Sequence, residues 1–481
     1  MSEVLMRKQT VRILSAGFLI WFCGSAARAQ FPEDALRFAT PGIGVGARAL
    51  GMGNAFTGIA NDFSALYWNP AGLTQIRFSE FSVGLGHLNG QSASLFSGTA
   101  SDYSINSTSL NSIGFVLPVP TKRGSMVIAL GYQRPTDFST GISFERFNTG
   151  TSLIQTFATD GALAPANPSG NVAYELFLAD IDSVTGRWIN PISGNLQEME
   201  KALEGGGLNQ WSAGGGIEVS PNISAGLTLT YLSGQYRYDG TYTESDLRKI
   251  YEASPYDFES FIIEDNIRSD ITGFNAKFGL LIRKEDQYRV GIGIKTPTGL
   301  RVKETFGTDY RSLFDNGDSF GPVTDRGETE YDISTPWVFS GGVSVLLNSL
   351  MLSADVEYTD WTQLEFTKGT QDLLSYNRTI KDLFVGTANI NVGGEFELKN
   401  IGLRLRAGFM LHPSPYRGDQ SSFDQKFVTG GVGIQLSEAA MFDISYAHGF
   451  WDTFRDNYDA SARVDEQVRT HNVLATLSFR Y

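Results

Sequence analysis

The chain has 481 residues, of which 53 are glycine, with 12% aromatic, 41% hydrophobic and only 19% charged residues, and a formal net charge of −14. That excess of acid excludes a nucleic-acid phosphate backbone as the main ligand. No apolar run of about 18 residues follows the N-terminus, which excludes a helical membrane protein.

Arg7, Lys8 and Arg12 precede an apolar stretch from Ile13 to Cys23, followed by Ala27-Arg28-Ala29. A basic head, a short apolar core and a small-x-small site predict a signal peptide over residues 1–29, cleaved before Gln30, and hence export. Bulky Trp21 and Phe22 stand where a lipoprotein signal needs small residues before its cysteine. Cys23 is the only cysteine. The processed chain would therefore carry no disulfide, zinc–thiolate or cysteine-nucleophile chemistry.

Residues 31–78 do not alternate. They hold the small-residue run Gly42-Ile43-Gly44-Val45-Gly46-Ala47-Arg48-Ala49-Leu50-Gly51-Met52-Gly53, then Asn61-Asp62, then Tyr67-Trp68-Asn69-Pro70-Ala71-Gly72-Leu73. The glycines are not a dinucleotide fingerprint, because Pro41 rather than a strand precedes them and no βαβ unit follows. Small side chains suit a segment that packs inside a narrow tube.

From residue 79 the period is two. Leu227, Leu229 and Tyr231 oppose Gly226, Thr228 and Thr230; Phe274, Phe278 and Ile282 oppose Asn275, Lys277 and Gly279; Leu403, Leu405 and Phe409 oppose Arg404, Arg406 and Gly408. Fourteen such segments centre near residues 84, 115, 128, 214, 229, 276, 292, 340, 355, 390, 406, 430, 444 and 475. Short connections (Pro120–Arg123, Ser220–Asn222, Arg283–Asp286, Asn348–Ser349, Lys399–Asn400, Ser437–Ala439) alternate with long ones near 90–109, 134–207, 239–265, 305–328, 367–382, 412–422 and 450–467. An even number of alternating strands with short turns on one side and long loops on the other predicts an all-β fold: a 14-stranded antiparallel transmembrane β-barrel in the outer membrane of a Gram-negative-type envelope. Closure removes the unpaired strand edges that lipid cannot solvate. The final Leu477-Ser478-Phe479-Arg480-Tyr481 has the form read by barrel-insertion machinery.

No catalytic, metal or cofactor site is expected. His87, His412, His448 and His471 are scattered, no Gly-x-Ser-x-Gly elbow occurs, and Asp315-Asn316-Gly317-Asp318 lacks the closing glutamate of a calcium loop and reads as a turn. Lys277, Lys295, Arg404 and Arg406 fall on the inward parity and read as lumenal ion-pair partners of acids such as Asp355, Glu357, Glu395 and Asp443. The aromatic-rich loop Tyr251–Ile263, with Tyr256, Phe258, Phe261 and Ile262, reads as a surface for capturing apolar ligand.

The Gly46–Thr57 run, Asn69-Pro70-Ala71, Thr359-Asp360-Trp361-Thr362-Gln363 and Arg406-Ala407-Gly408-Phe409 with Pro413-Ser414-Pro415 together resemble the FadL-type family of long-chain fatty acid and aromatic hydrocarbon transporters of the outer membrane. The resemblance implies a small N-terminal hatch (30–78) closing the barrel (79–481) and passive uptake of fatty acids or hydrocarbons. In that scheme extracellular loops capture the ligand, a lumenal pocket binds it, and hatch movement releases it sideways into the bilayer beside a kinked third strand. It gives Asn69, Pro70 and Ala71 a hatch role, Lys368 the head-group role, and Arg237 the same role by looser alignment. The third strand, Ser125–Gln133, carries Gly131 and ends at Arg134-Pro135, so Gly131 and Pro135 mark the expected lateral opening. Expected partners are the hydrophobic molecule, outer-membrane lipid, lipopolysaccharide and the insertion machinery, with the protein a monomer that binds no nucleic acid. Some relatives are shuttle proteins of protein secretion systems, and the wording of Gly46–Gly53 suits them too; a general diffusion porin is the third possibility.

Overall fold

The computed structural model describes residues 32–252, 257–284, 287–458 and 463–481; the expected signal peptide and Tyr256 lie outside them. Fourteen strands run in chain order. They are β1 (Glu80–Phe96), β2 (Thr99–Val119), β3 (Met126–Asp137, continued by Thr140–Asn148), β4 (Leu196–Ser220), β5 (Ile223–Ser245), β6 (Phe258–Lys284) and β7 (Tyr288–Lys295, then Gly299–Phe314). There follow β8 (Ser319–Ser334, then Val338–Leu347), β9 (Leu350–Asp360, then Glu365–Lys368), β10 (Gly386–Leu398), β11 (Leu403–His412), β12 (Gln425–Gln435), β13 (Ala440–Asp456) and β14 (Arg463–Arg480). Each expected centre lies in its own strand. All neighbours are antiparallel, and β1 pairs with β14 from Glu80↔Arg480 to Phe96↔Val464, which closes the sheet.

The alternation sorts as lipid demands. Leu229, Phe274, Val343 and Val356 are about half exposed on the outside, whereas Thr228 and Thr230, between the outward residues of β5, are buried in the bore. A closed barrel wearing a continuous apolar belt is a transmembrane barrel. At one end the hairpins are tight: Asn222 and Asn348 take left-handed φ of 68° and 57° in the β4–β5 and β8–β9 turns, a conformation asparagine tolerates.

At the other end the structure departs from the expected long loops. The β1–β2 ladder climbs to a two-residue turn at Ser97-Gly98, and β7–β8 to Asp315–Asp318. These stretches are strands whose outward face meets water instead of lipid and whose inward face buries small polar residues such as Ser92, Ser94, Thr308 and Ser312, so no apolar alternation marks them. True excursions include residues 149–195, between β3 and β4, the loop helix Gln371–Leu383 after β9, and residues 413–424 between β11 and β12, where a long connection is expected. Strands β7, β8 and β9 are interrupted side by side at 296–298, 335–337 and 361–364, where Pro297 and Pro336 cannot donate to a ladder. Among the described residues no helix is long and apolar enough to cross a membrane.

Candidate functional site

The leading segment forms short helical pieces: α1 (Pro32–Ala39), α2 (Ala47–Gly51), α3 (Ala65–Trp68) and a 3-10 turn, Pro70–Gln75. Its backbone bonds to strands around the barrel. Gly46 N donates to Asn111 Oδ1 of β2 (3.2 Å), Ala47 N to Thr476 Oγ1 of β14 (3.1 Å), Thr57 N to Asp355 Oδ2 of β9 (2.5 Å) and Phe63 N to Glu80 Oε1 of β1 (3.0 Å). Asn69 is fully buried: its Nδ2 donates to Thr57 O (2.9 Å) and to Leu280 O of β6 (3.1 Å), and its Oδ1 accepts from Ala71 N (3.1 Å). One side chain thus caps the 3-10 turn that Pro70 begins and ties it to the wall.

The wall makes room by omitting side chains. A Cβ on Gly279 would stand 2.9 Å from Pro70 Cδ, and one on Gly408 would stand 2.6 Å from Met52 C. These glycines, with Gly226 and Gly393, are seats for the segment on the inward parity of β5, β6, β10 and β11. The segment's own small residues account for only part of this fit; the sequence signal for the rest is glycine recurring at inward positions of successive strands.

Charge locks the same contact. Arg48 of α2 grips Glu395 of β10 with two bonds (Nε–Oε2 2.9 Å, Nη2–Oε1 2.8 Å), Arg406 of β11 donates Nε to the same Oε2 (2.7 Å), and Arg406 Nη1 pairs with Asp443 of β13 (2.7 Å). Arg406 and Arg404, the latter with Glu397 (3.0 Å), are the ion-pair partners expected. Lys277 differs: its Nζ donates to Tyr67 O of α3.

The segment's first helix, α1, itself fills an apolar chamber of the bore. Leu36 and Phe38 of α1 pack among Phe138, Leu208, Leu232, Tyr236, Leu300, Tyr331, Trp361, Leu364 and Phe366. Phe38 stands edge-on to Phe138 (5.9 Å) and Tyr236 (5.7 Å). The interruption in β9 turns Trp361 and Leu364 into this chamber. Its cation is already matched: Arg37 stacks on Tyr236 (4.8 Å) and pairs with Asp34 and with Glu204 (3.4 Å). Burial opposes that charge, yet the two acids hold the guanidinium above its ordinary pKa.

Beside the chamber the wall is unzipped. The β2–β3 ladder runs from Val119↔Met126 to Ser112↔Gln133 and stops. Beyond Arg134-Pro135, β3 slips register against β4, and Thr140–Asn148 pairs with β4 alone while the rest of β2 pairs with β1 alone. The outer part of β3 lies along the inner side of the β1–β2 hairpin, with Ser107 Oγ to Asp137 Oδ2 (2.9 Å) and Ser94 Oγ to Ser143 O (2.7 Å) as side-chain links. Phe138 and Leu208, at this break, also line the chamber.

No family model and no curated relative matches the chain. Solved structures do. The Pseudomonas putida toluene transporter TodX superimposes with a TM-score of 0.54 at 11% identity, covering 91% of this chain and 99% of that one. A Pseudomonas aeruginosa FadL homologue gives 0.54 at 13%, covering 94% and 99%. The chain carries the FadL-type fold. At such identity the likeness is one of fold.

Within this FadL-type barrel the expected site residues scatter. Gly131 still pairs with Gly114; a Cβ there would stand 2.6 Å from Phe63 Cζ, so its smallness seats the leading segment, and the break begins two residues later at Gln133. Pro135 lies in the break. Lys368 ends the last short piece of β9, exposed, with Nζ 3.0 Å from Glu330. Arg237 is exposed on the outward parity next to inward Tyr236. Both cations are thus turned away from the chamber. Phe258 and Phe261 are fully buried beneath the 149–195 excursion, in one cluster with Ile154, Leu176 and Trp188. They, with half-buried Ile262, therefore do not form the open capture surface read from the sequence.

Proposed function

We propose that this barrel lets hydrophobic molecules cross the outer membrane and leave sideways into the bilayer, with residues 30–78 as a hatch that closes the bore of the 79–481 barrel. The observation that carries the reading is the β2–β3 ladder ending at Gln133 beside an apolar chamber lined by Phe138 and Leu208. A molecule in that chamber has lipid next to it across a wall without backbone hydrogen bonds. Asn69, Pro70 and Ala71 hold the hatch down, and α1 fills the chamber until ligand takes its place. Toluene transport by the TodX protein fits the same use of the fold.

The matched charge of Arg37 favours a neutral ligand, a hydrocarbon rather than a carboxylate, because a fatty-acid head group would have to take its cation from Asp34 or Glu204. Cells lacking and carrying the protein are compared for uptake of radiolabelled dodecane and oleate. The expected result is protein-dependent, saturable dodecane uptake exceeding that of oleate. Equal dodecane entry in both cells, together with loss of exported proteins from the surface of the deletion strain, would instead support the shuttle role in secretion.

A further inference from the structure

The ladder stops at a glutamine that has nothing to bind. Gln133 is completely buried (0% exposed), and neither its Nε2 nor its Oε1 meets a partner. It faces the bore in line with Val127 and Ala129, opposite Gln210 of β4. An apolar side chain there would avoid the cost of hiding an unpaired amide. The next residue repeats the pattern: Arg134 uses Nη2 on Gly206 O (2.8 Å), while its buried Nε is unpartnered.

Across the break, Asn111 is satisfied only through the leading segment and the kink. Its Nδ2 donates to Gly44 O (3.3 Å) and Arg134 O (3.3 Å), and its Oδ1 accepts from Gly46 N (3.2 Å). Gly44 N meanwhile donates to Pro135 O (3.4 Å). Movement of residues 42–46 would release Asn111 and the Pro135 carbonyl at the level where Gln133 already has bonds to give.

We propose that Gln133, with Asn111, forms a hydrogen-bonding station at the lateral exit for the hydroxyl end of a hydrophobic molecule, a phenol or long-chain alcohol. This rests on the uptake reading above. A free amide offers donors and an acceptor at once, which matches a neutral group that both donates and accepts. A carboxylate fits less well, since the Arg134 guanidinium already stands by Asp137. The station compensates the hydroxyl as it leaves the bore, where an unpaired polar end would otherwise resist entering lipid.

Purified full-length protein held in amphipol is titrated with radiolabelled 1-dodecanol and with dodecane, using wild type, Gln133→Met and Gln133→Leu. Near-isosteric Met covers the case in which Leu perturbs folding, and heat-modifiable gel mobility verifies each barrel. Loss of one hydrogen bond predicts dodecanol binding about tenfold weaker in both variants, with dodecane binding unchanged. Dodecanol binding equal to wild type, or an equal loss for both probes, overturns the proposal. Intact, Gln133-dependent dodecanol binding without dodecane or dodecanol uptake by cells would leave this site standing and remove the transport reading instead.

Discussion

Glu395→Gln is expected to destabilise the protein by about 3–5 kcal/mol, the usual penalty for stranding a buried charge. Glu395 is buried and holds two guanidiniums, Arg48 from the leading segment and Arg406 from the neighbouring strand. Without its charge Arg406 would keep Asp443, and Arg48 would be left with Asn61 Oδ1 (2.6 Å) and the more distant charges of Asp62 and Asp443. Because Arg48 belongs to the segment, the loss falls on its attachment as well as on the barrel. Urea denaturation in detergent should show a lower midpoint, and trypsin should cut within residues 32–78 at lower doses. Adding Arg48→Gln should recover part of the loss, since Arg406 then faces Asp443 one to one. A double variant less stable than Glu395→Gln would show that the lock does not work through charge balance.

The second large effect is expected at the unzipped wall. Ser107 Oγ and Asp137 Oδ2, on the two strands that part company, are 2.9 Å apart. Cysteines at both positions would be the only thiols of the processed chain, because Cys23 lies in the expected signal peptide. Oxidation should drive dodecane uptake to background and dithiothreitol should restore it. A matched pair at Gln91 and Ser104, register partners in the intact β1–β2 ladder, should leave uptake unchanged in both redox states. Full uptake by the oxidised Ser107→Cys/Asp137→Cys protein would place the exit elsewhere.

Much of this fold could be read from residues because lipid imposes a strict rule on outward side chains. Leu227, Leu229 and Tyr231 face hydrocarbon and must be apolar, while Thr228 and Thr230 face a packed bore and stay small. The rule ends at the membrane surface, so the outer part of the β1–β2 hairpin, rich in serine and threonine, reads as loop although it is strand. Pro135 announced the break, since proline cannot donate to a ladder; Gly131 did not, because its smallness serves Phe63. Arg237 could have been placed outside from its parity with Tyr236. The burial of Phe258 and Phe261 could not, because it depends on residues 149–195 folding over them from far along the chain. The glycine seats at Gly279 and Gly408 were visible in the pattern but acquire meaning only with the segment laid against them.

If hydrophobic molecules pass sideways out of a bore that the leading segment closes, that bore stays shut to water and ions. Planar-bilayer recording of the purified protein tests it most directly. A silent membrane is expected at moderate voltage, with steady conductance appearing once residues 32–76 are removed. Stable, ohmic ion current through the intact protein would contradict it.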